Sequence, residues 1–307
     1  MNYDIIIIGG GAAGLSGAIY AVRGGMKTLL LEGLAAGGQI NYTYDVDNYP
    51  GFYDNPKGVE LSENFLKHAK KFGAEISTEK VREIEDIDCE IKTVITRKNQ
   101  YKTKAIIFAT GANARKLGVP GEDTFSGLGV SYCATCDGAF FKGQTTLVVG
   151  GGNTAFEDVL YLARFSAKVY LVHRSENFRA SKNLVDRVKK NEKITLLTNR
   201  KVREIHGKDV VDSVTIEDTL TGREEKIETS AVFVAIGRNP ETELAGKYVY
   251  LTNDGFIRTD REMQTDCKGV YAAGDVRDTP LRQIVTAASD GAIAAVSAIN
   301  YVNGLER

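Results

Sequence analysis

The chain opens with an apolar run that is followed at once by glycines. Residues 4–8 read DIIII, and an unbroken β-branched run is typical of a strand buried on both faces of a parallel sheet. Residues 9–14 read GGGAAG, residues 15–25 follow a helical pattern that ends on glycines, and TLLLE follows at 28–32. This order predicts a strand, a tight turn, a helix and a second strand.

The same pattern occurs again in the middle of the chain. The second copy reads TLVV at 146–149, GGGNTA at 150–155, a helical pattern at 156–166 and VYLVHR at 169–174. Each copy also ends in an apolar strand and a glycine turn, IIFATGAN at 106–113 and VFVAIGRN at 232–239. Repeated strand–helix–strand units predict an α/β fold with two Rossmann-like nucleotide-binding domains.

Size and charge narrow the class of protein. The 307 residues are about twice a typical domain, and 39 basic residues against 40 acidic ones leave a net charge of −1. That balance gives no general attraction to nucleic acid or to an anionic membrane. The first residues lack the basic flank of a signal peptide, and no later apolar run approaches the roughly 18 residues of a membrane span. We therefore expect a cytoplasmic protein.

Both glycine-rich turns match the dinucleotide fingerprint in the context that it requires, between a strand and a helix. Such glycines let the backbone turn tightly and approach a pyrophosphate, which meets the free N–H groups of the helix N-terminus. The expected contacts are Gly9, Gly11, Ala12, Ala13 and Gly14 in the first copy, and Gly150, Gly152, Asn153 and Thr154 in the second.

The residue that follows the second strand differs between the copies. Glu32 comes eighteen residues after Gly14, whereas His173, with Arg174 beside it, comes eighteen residues after Ala155. An acid pairs with free ribose hydroxyls and repels a 2′-phosphate, while a His-Arg pair favours the phosphate. We therefore expect FAD in the first unit and NADP(H) in the second.

A third glycine turn lies near the C-terminus. Residues 269–295 predict a strand, a turn containing Gly274 and Asp275, and a helix of small apolar residues. In isolation this pattern also fits plain packing. Once a flavin is inferred from the first unit, the segment becomes the expected closing wall of its site.

Two cysteines lie between the copies as Cys133-Ala-Thr-Cys136, followed by Asp137. A C-x-x-C pair can form a disulfide that opens and closes readily, and it can also be half of a zinc site. Zinc would need a second pair, and Cys89 and Cys267 are isolated, so we expect a redox couple, incidental thiols elsewhere and no metal. Asp137 is a candidate proton donor to a leaving thiolate, with an ordinary turn residue as the alternative.

Taken together, these motifs make the chain resemble the bacterial low-molecular-weight thioredoxin reductases over essentially its whole length. The matching motifs are GGGAAG (9–14), GGQI (37–40), NYPG (48–51), ATGA (109–112), CATCDG (133–138), GGGNTA (150–155), HR (173–174), FRAS (178–181) and AAGDV…RQ (272–283). Larger disulfide reductases place their cysteine pair in the first helix, where this chain has none.

The resemblance implies a discontinuous FAD domain, 1–114 and 244–307, with an NADPH domain, 115–243, inserted and carrying the cysteine pair. It also implies a homodimer, Cys136 beside the flavin, Cys133 attacking the disulfide of thioredoxin or a thioredoxin-like protein, and domains that rotate about short connections. Further FAD contacts would be Gly38, Gln39, Asn48, Ala109, Thr110, Gly111, Gly274, Asp275, Arg282, Gln283 and Ile284, and further NADPH contacts would be Arg179, Ile236 and Gly237.

One departure from the family pattern concerns the 2′-phosphate site. The family usually carries His-Arg-Arg-x-x-x-Arg, but here Ser175 and Glu176 follow Arg174, and Arg179 ends the motif. Losing one charge-assisted contact costs about 1.5–3 kcal/mol, so NADPH preference would be reduced. Three alternatives stay open: NADH or ferredoxin as the donor, another disulfide partner, and a nucleotide-binding regulator without turnover.

Overall fold

The computed structural model describes residues 2–43, 46–54 and 56–305. The chain divides into two compact units. Unit 1 comprises Met1–Asn113 and Asn239–Arg307, and unit 2 comprises Ala114–Arg238. The α/β class and the two nucleotide-binding folds predicted from the sequence are confirmed.

Unit 1 contains one sheet with helices against one face. Its strands are β1 (Asn2–Ile8), β2 (Thr28–Glu32), β3 (Glu75–Thr78), β4 (Val81–Glu85), β5 (Lys92–Thr96), β6 (Gln100–Phe108) and β17 (Val270–Ala272), and its helices are α1 (Ala12–Arg23), α2 (Gly58–Lys71) and α6 (Ile284–Leu305). The sheet order is β3–β2–β1–β6–β5–β4. Strand β6 pairs with β5 along its first half and with β17 along its last three residues.

The isoleucine run of β1 supplies side chains to both faces of this sheet. Successive strand residues point to opposite faces, so Ile5 and Ile7 pack with α1 and α6, while Ile6 and Ile8 pack on the other side. Ile5, Ile6 and Ile7 have no exposed surface. The unbroken apolar pattern is therefore the signature of a central strand covered on both faces.

Helices α1 and α6 pack closely because glycines lie at their contact. A β-carbon added at Gly291 of α6 would overlap the carbonyl oxygen of Ala13, and one added at Gly17 would lie 3.2 Å from the carbonyl oxygen of Gly291. Asp290 beside this contact is buried and forms an ion pair with Arg277 at 3.4 Å.

Helix α6 also corrects one expectation from the sequence. It is long and apolar enough to cross a membrane by length and composition, although no run of that kind was expected. The reason is that its alanines, isoleucines and valines raise the mean hydropathy of the helix, although polar residues interrupt every apolar run. One face of the helix is buried against α1, and we assign it to the core of unit 1.

Unit 2 repeats the arrangement around a smaller parallel sheet. Its strands are β8 (Val130–Ser131), β9 (Thr145–Val149), β10 (Lys168–His173), β11 (Ile194–Thr198), β12 (Arg200–Gly207), β13 (Val211–Asp218), β14 (Glu224–Glu228) and β15 (Ala231–Val234), and its helices are α3 (Ala134–Asp137), α4 (Asn153–Leu162) and α5 (Lys182–Lys189). A parallel sheet runs β11–β10–β9–β15–β8, and β12–β13–β14 form an antiparallel sheet. Helices α4 and α5 pack on one face of the parallel sheet, and the antiparallel sheet packs on the other.

The connections between the units are strands β7 (Ala112–Ala114) and β16 (Arg238–Pro240), which pair with each other. The observed divisions between the units lie at 113/114 and 238/239. Residues 239–243 therefore group with unit 1, whereas the second segment of the FAD domain was expected to begin at residue 244. Hydrogen bonds explain the difference, because Glu241 accepts from the side chains of Thr110 and Asn113, both in unit 1.

The close contact of α1 and α6 predicts that Gly291→Ala lowers the free energy of unfolding of unit 1 by about 1–3 kcal/mol, since the methyl group forces packed helices apart. Gly304→Ala on the same helix is the matched control, because no atom lies within 4 Å of its added β-carbon. That change should be neutral or stabilise by up to about 1 kcal/mol through helix propensity. Urea denaturation of both variants with saturating FAD measures the difference, and equal effects would contradict the packing argument.

Candidate functional site

Cys133 and Cys136 form a disulfide at the start of the short helix α3, directly after the edge strand β8. Cys133 occupies the N-cap position, and its sulfur accepts the backbone N–H of Cys136 at 3.2 Å. The hydroxyl oxygen of Thr135 lies 3.4 Å from the same sulfur. Donors that face a sulfur stabilise a thiolate there, so the arrangement favours Cys133 as the nucleophile of a reduced pair.

Asp137 lies one residue beyond the disulfide and is anchored by Ser131. The serine hydroxyl lies 2.6 Å from Asp137 Oδ2, and the backbone N–H of Cys133 donates to the serine oxygen at 3.0 Å. Both cysteines and Asp137 are half-buried, whereas Ser131 is only 5% exposed. The predicted redox couple and its candidate acid therefore lie in one hydrogen-bonded loop.

The C-terminal end of helix α4 packs against this loop. A β-carbon at Gly138 would lie 2.8 Å from Leu162 Cδ2, so the segment after the disulfide is packed tightly on the end of α4. Asp158 lies one turn earlier on that helix. Burial, and then repulsion from Glu157, raises the pKa of Asp158 to about 7, while Arg238 opposes the shift.

Arg238 and Glu122 hold the residue that precedes Cys133. Arg238 donates to the carbonyl oxygen of Tyr132 at 3.4 Å, and the Tyr132 hydroxyl donates to Glu122 at 3.0 Å. Glu122 is 2% exposed and also accepts the backbone N–H groups of Leu117 and Gly118. Burial and this carboxylate raise the pKa of the Tyr132 phenol well above its usual range.

In unit 1, the first glycine turn has the shape that a pyrophosphate requires. Gly9 has φ 109°, and a β-carbon at Gly14 would overlap the Gly9 carbonyl oxygen. Glu32 at the end of β2 accepts the backbone N–H of Gly10 at 2.6 Å and that of Leu34 at 3.1 Å. The Glu32 carboxylate thus lies against the glycine turn, at the position where the dinucleotide fingerprint has an acid that accepts the ribose hydroxyls.

The N-terminus of α1 is open on the side of this turn. Gly11 is its N-cap and supplies no side-chain cap, and Ala12 and Ala13 follow. Gly38 packs against it, since a β-carbon at Gly38 would lie 3.1 Å from the Gly11 Cα. The backbone at this turn surrounds a space that an added β-carbon would narrow, and the first N–H groups of α1 face that space. Such an arrangement fits the phosphate groups of a dinucleotide.

The other FAD residues predicted in unit 1 fall into two hydrogen-bonded groups. In the first group, Gln39 donates to Asn113 at 2.6 Å, Asn113 donates to Glu241 at 2.6 Å, and Thr110 donates to the Glu241 carbonyl oxygen. Ala109 and Gly111, the latter with φ 77°, flank Thr110. Asn113 and Glu241 were not predicted, because nothing in a local pattern marks a contact between residues so far apart.

The second group surrounds the start of α6 at Ile284. Asn48 donates to the Gln283 side chain at 3.0 Å, and the Arg282 guanidinium lies 4.2 Å from the centre of the Phe256 ring. The backbone N–H of Gly274 donates to buried Asp290, and Asp275 follows in the same turn. Asp290 was also missed, since its place in an apolar helix carried no signal of a polar contact.

The second glycine turn, in unit 2, is held from both sides. Gly150 is packed so closely that a β-carbon would lie 2.6 Å from that of Ala155, and a β-carbon at Gly151 would overlap the His173 ring. Gly152 is the N-cap of α4 and has open space around it. Asn153 begins α4 and accepts the backbone N–H of Ser181 at 2.8 Å, and Thr154 follows it. This turn offers the same open helix N-terminus as the first.

In the segment after β10, Ser175 and Glu176 both form hydrogen bonds with residues of unit 2. The Ser175 hydroxyl lies 3.1 Å from His173 Nε2 and 3.2 Å from the Asn177 carbonyl oxygen. Glu176 accepts from the Asn199 side chain at 3.1 Å. Arg174 and Arg179 are exposed, and burial lowers the pKa of His173, with the two arginines adding to the shift.

These groups share one edge of the parallel sheet of unit 2. The disulfide follows β8, the glycine turn follows β9, His173 ends β10, and Ile236 and Gly237 follow β15. Because all these strands are parallel, their carboxyl ends lie along the same edge, which is where nucleotides bind in such folds.

The remaining cysteines, Cys89 and Cys267, belong to unit 1. Among the described residues no group of histidine, cysteine and carboxylate side chains has the arrangement of a metal site. Cys89 is exposed, and Cys267 is buried in unit 1, where burial raises the pKa of its thiol to about 11.

The model of the pyridine nucleotide-disulphide oxidoreductase family matches residues 3–291. The chain therefore belongs to that family of flavin-dependent enzymes, whose cofactors in the thioredoxin reductase branch are FAD and NADPH.

Its relatives place it within that branch. It is 46% identical to the thioredoxin reductase of Bacillus subtilis over 99% of this chain and 96% of that protein, and 44% identical to that of Mycolicibacterium smegmatis over 98% and 96%. The crystal structure of thioredoxin reductase from Streptococcus pyogenes has a TM-score of 0.94, with 42% identity and 99% of both chains covered. The function is that of a thioredoxin reductase, as the motif resemblance implied.

Proposed function

We propose that the Cys133–Cys136 pair, with Asp137 as proton donor, reduces the disulfide of thioredoxin. The observation that carries the assignment is the internal disulfide itself, half-buried in unit 2 with a carboxyl group in the same loop. Phe140, one turn further on, is 50% exposed and offers an apolar contact beside the disulfide.

The exchange follows from the environment of each sulfur. The Cys133 thiolate attacks one sulfur of the thioredoxin disulfide, which forms a mixed disulfide and releases one thiolate. The Cys136 thiolate then attacks Cys133 Sγ, restores the internal disulfide and releases the second thiolate. Asp137 donates a proton to a leaving thiolate, which makes it a better leaving group.

The residues described above would hold the two cofactors. The open turn at Gly9–Gly14 with Glu32 suits FAD, and the turn at Gly150–Thr154 with Arg174 and Arg179 suits NADPH. When bound, these cofactors supply the two electrons that convert the disulfide to a dithiol. We also propose a cytoplasmic location, since a dithiol couple of this kind needs a reducing compartment.

Replacing the second cysteine tests the relay. Cys136→Ser should retain bound FAD and still bleach its visible band with NADPH, because the predicted nucleotide contacts are unchanged. Thioredoxin reduction should fall about 10³-fold or more, as expected when a nucleophile is removed. Steady-state turnover and stopped-flow absorbance measure the two steps. Cys89→Ser, at an exposed free cysteine, is the control and should match the parent. Near-normal turnover of Cys136→Ser would disprove the relay.

The donor assignment rests on Arg174 and Arg179, both exposed beside the second turn. The intact GGGNTA turn favours a nicotinamide donor over ferredoxin, and Ser175 and Glu176 reduce the positive charge available to a 2′-phosphate. We therefore propose NADPH as the donor with modest discrimination against NADH. Ferredoxin remains the second candidate, and flavin bleaching by reduced ferredoxin but by neither nucleotide would establish it.

Adding a positive charge at the predicted phosphate site tests this proposal. Ser175→Arg should lower the KM for NADPH roughly tenfold to a hundredfold and leave the KM for NADH nearly unchanged, since only NADPH carries the phosphate. Turnover should change less, because the phosphate contributes uniform binding. Val210→Arg controls for the added charge. Val210 is exposed in the turn between β12 and β13, whereas the segment of Ser175 and Glu176 contacts Asn199 at the other end of this strand pair. Equal changes in the KM for NADPH and in the KM for NADH would show that the 2′-phosphate does not bind beside Ser175.

We further propose that unit 1 dimerises through the outer face of α6. Val285, Ile293 and Val296 are 38–45% exposed on the side opposite to its buried face, and Tyr20 of α1 is 44% exposed nearby. They border an open groove of about 930 Å³ whose floor includes Leu61. Large apolar patches on a soluble surface mark interaction sites, and a second copy of the same patch is the simplest complement.

Charge inserted into this face should break the dimer. Ile293→Glu is expected to shift the protein to monomer in analytical ultracentrifugation at micromolar concentration, because the carboxylate would be buried without a partner. Ile91→Glu is the matched control, since Ile91 is exposed to a similar degree, 41% against 38%, and lies in a loop of unit 1 away from α6 in sequence. A monomeric parent, or a dimeric Ile293→Glu variant, would contradict the proposal.

A further inference from the structure

Ser131 occupies a position in the redox loop that the chemistry of the cysteines and Asp137 does not account for. It is the last residue of β8, pairs opposite Phe233 of β15, and is 5% exposed. Its place is thus fixed by the sheet and not by the loop. Its hydroxyl group contacts three partners in that loop, namely Asp137 Oδ2 at 2.6 Å, the Cys133 N–H at 3.0 Å and the Cys133 carbonyl oxygen at 3.3 Å.

We propose that Ser131 is a positioning residue that holds the Asp137 carboxyl group in place in both of its protonation states. The inference rests on the proposed role of Asp137 as the proton donor in thiol–disulfide exchange. It assigns Ser131 no contact with the substrate, because the serine acts through the aspartate.

The geometry provides a different hydrogen-bond arrangement for each state. When Asp137 is ionised, the serine hydroxyl donates to Oδ2, and such charge-assisted bonds are short, as the 2.6 Å separation is. When Asp137 is protonated, its O–H donates to Ser131 Oγ, and the serine hydroxyl turns to the Cys133 carbonyl oxygen. A hydroxyl group has one proton and two acceptor lone pairs, so both arrangements are satisfied while the Cys133 N–H keeps its bond.

The proton balance of the exchange shows why this matters. A leaving thiolate takes the proton of the Asp137 carboxyl group, which yields a thiol and a carboxylate. The carboxylate must then regain a proton from solvent before the next turnover. In each cycle the carboxyl group changes charge within a half-buried loop, and without Ser131 it would lose this hydrogen bond in both states.

The inference predicts that Ser131→Ala slows the exchange about tenfold, a part of the 10²–10⁴-fold that a positioned general acid contributes. The KM for thioredoxin and the rate of flavin reduction by NADPH should stay unchanged. The alkaline limb of the pH–rate profile should move up by roughly 0.5–1 pH unit, because the lost bond is stronger to the ionised acid than to the neutral one. Ser131→Thr, which keeps the hydroxyl group, should restore most of the rate.

The measurement is a stopped-flow reaction of NADPH-reduced enzyme with an oxidised thioredoxin that carries tryptophan. The chain itself contains no tryptophan, so the tryptophan fluorescence comes from the partner alone. Ser213→Ala is the matched control, because Ser213 is also a buried strand serine of unit 2 whose hydroxyl donates to a carboxylate, Asp212. That variant should react like the parent.

A double-mutant cycle with Asp137→Asn separates positioning from a general structural role. If Ser131 acts through Asp137, Ser131→Ala should have little further effect in the Asp137→Asn background. A tenfold loss in both backgrounds would overturn the inference and leave the proposed function standing, as would an unchanged rate of Ser131→Ala alone. A normal rate for Asp137→Asn would instead refute the proposed role of Asp137 and the inference with it. If the threonine of Ser131→Thr does not fit in β8, the double-mutant cycle with Asp137→Asn tests the inference by itself.

Discussion

The close approach of helix to strand at the glycine turns is the constraint on which both units depend. In unit 1, α1 can begin directly at the end of β1 only because Gly14 has no β-carbon to meet the Gly9 carbonyl oxygen. In unit 2, Gly150 and Gly151 allow the same approach beside Ala155 and His173. In each unit this contact directs the first N–H groups of a helix toward the strand ends, where the predicted phosphate sites lie.

Much of this architecture was predictable because it is encoded over short distances. The isoleucine run of residues 5–8 and the glycines after it define a strand, a turn and a helix within about twenty residues, and the second copy at residue 146 repeats them. The pairing of Cys133 with Cys136 was predictable for the same reason, since only two residues separate them. The second division between the units, at 238/239, lies five residues before the predicted one at 243/244, because it depends on hydrogen bonds that join Glu241 to Thr110 and Asn113.

Contacts between distant parts of the chain carried no such signal. The apolar helix α6 contains Asp290, whose buried bonds to Gly274 and Arg277 could not be inferred from its neighbours in sequence. Ser131 lies only two residues before the recognised cysteine motif, yet its bond to Asp137 depends on how β8 joins the sheet. Residue type and spacing thus predicted which groups react, whereas the groups that contact and orient them became visible only in three dimensions.

The gathering of reactive groups at the carboxyl ends of parallel strands also leaves the opposite edge of the unit 2 sheet without an assigned role. That edge carries Thr145, Lys168 and Ile194, where β9, β10 and β11 begin. A five-residue strand spans about 17 Å, so this edge is separated from the disulfide and the nucleotide turn by the full depth of the sheet. A fluorescent dye or an immobilising linker attached there would report on the protein, or fix it to a surface, at a distance from the disulfide and the predicted nucleotide site of unit 2.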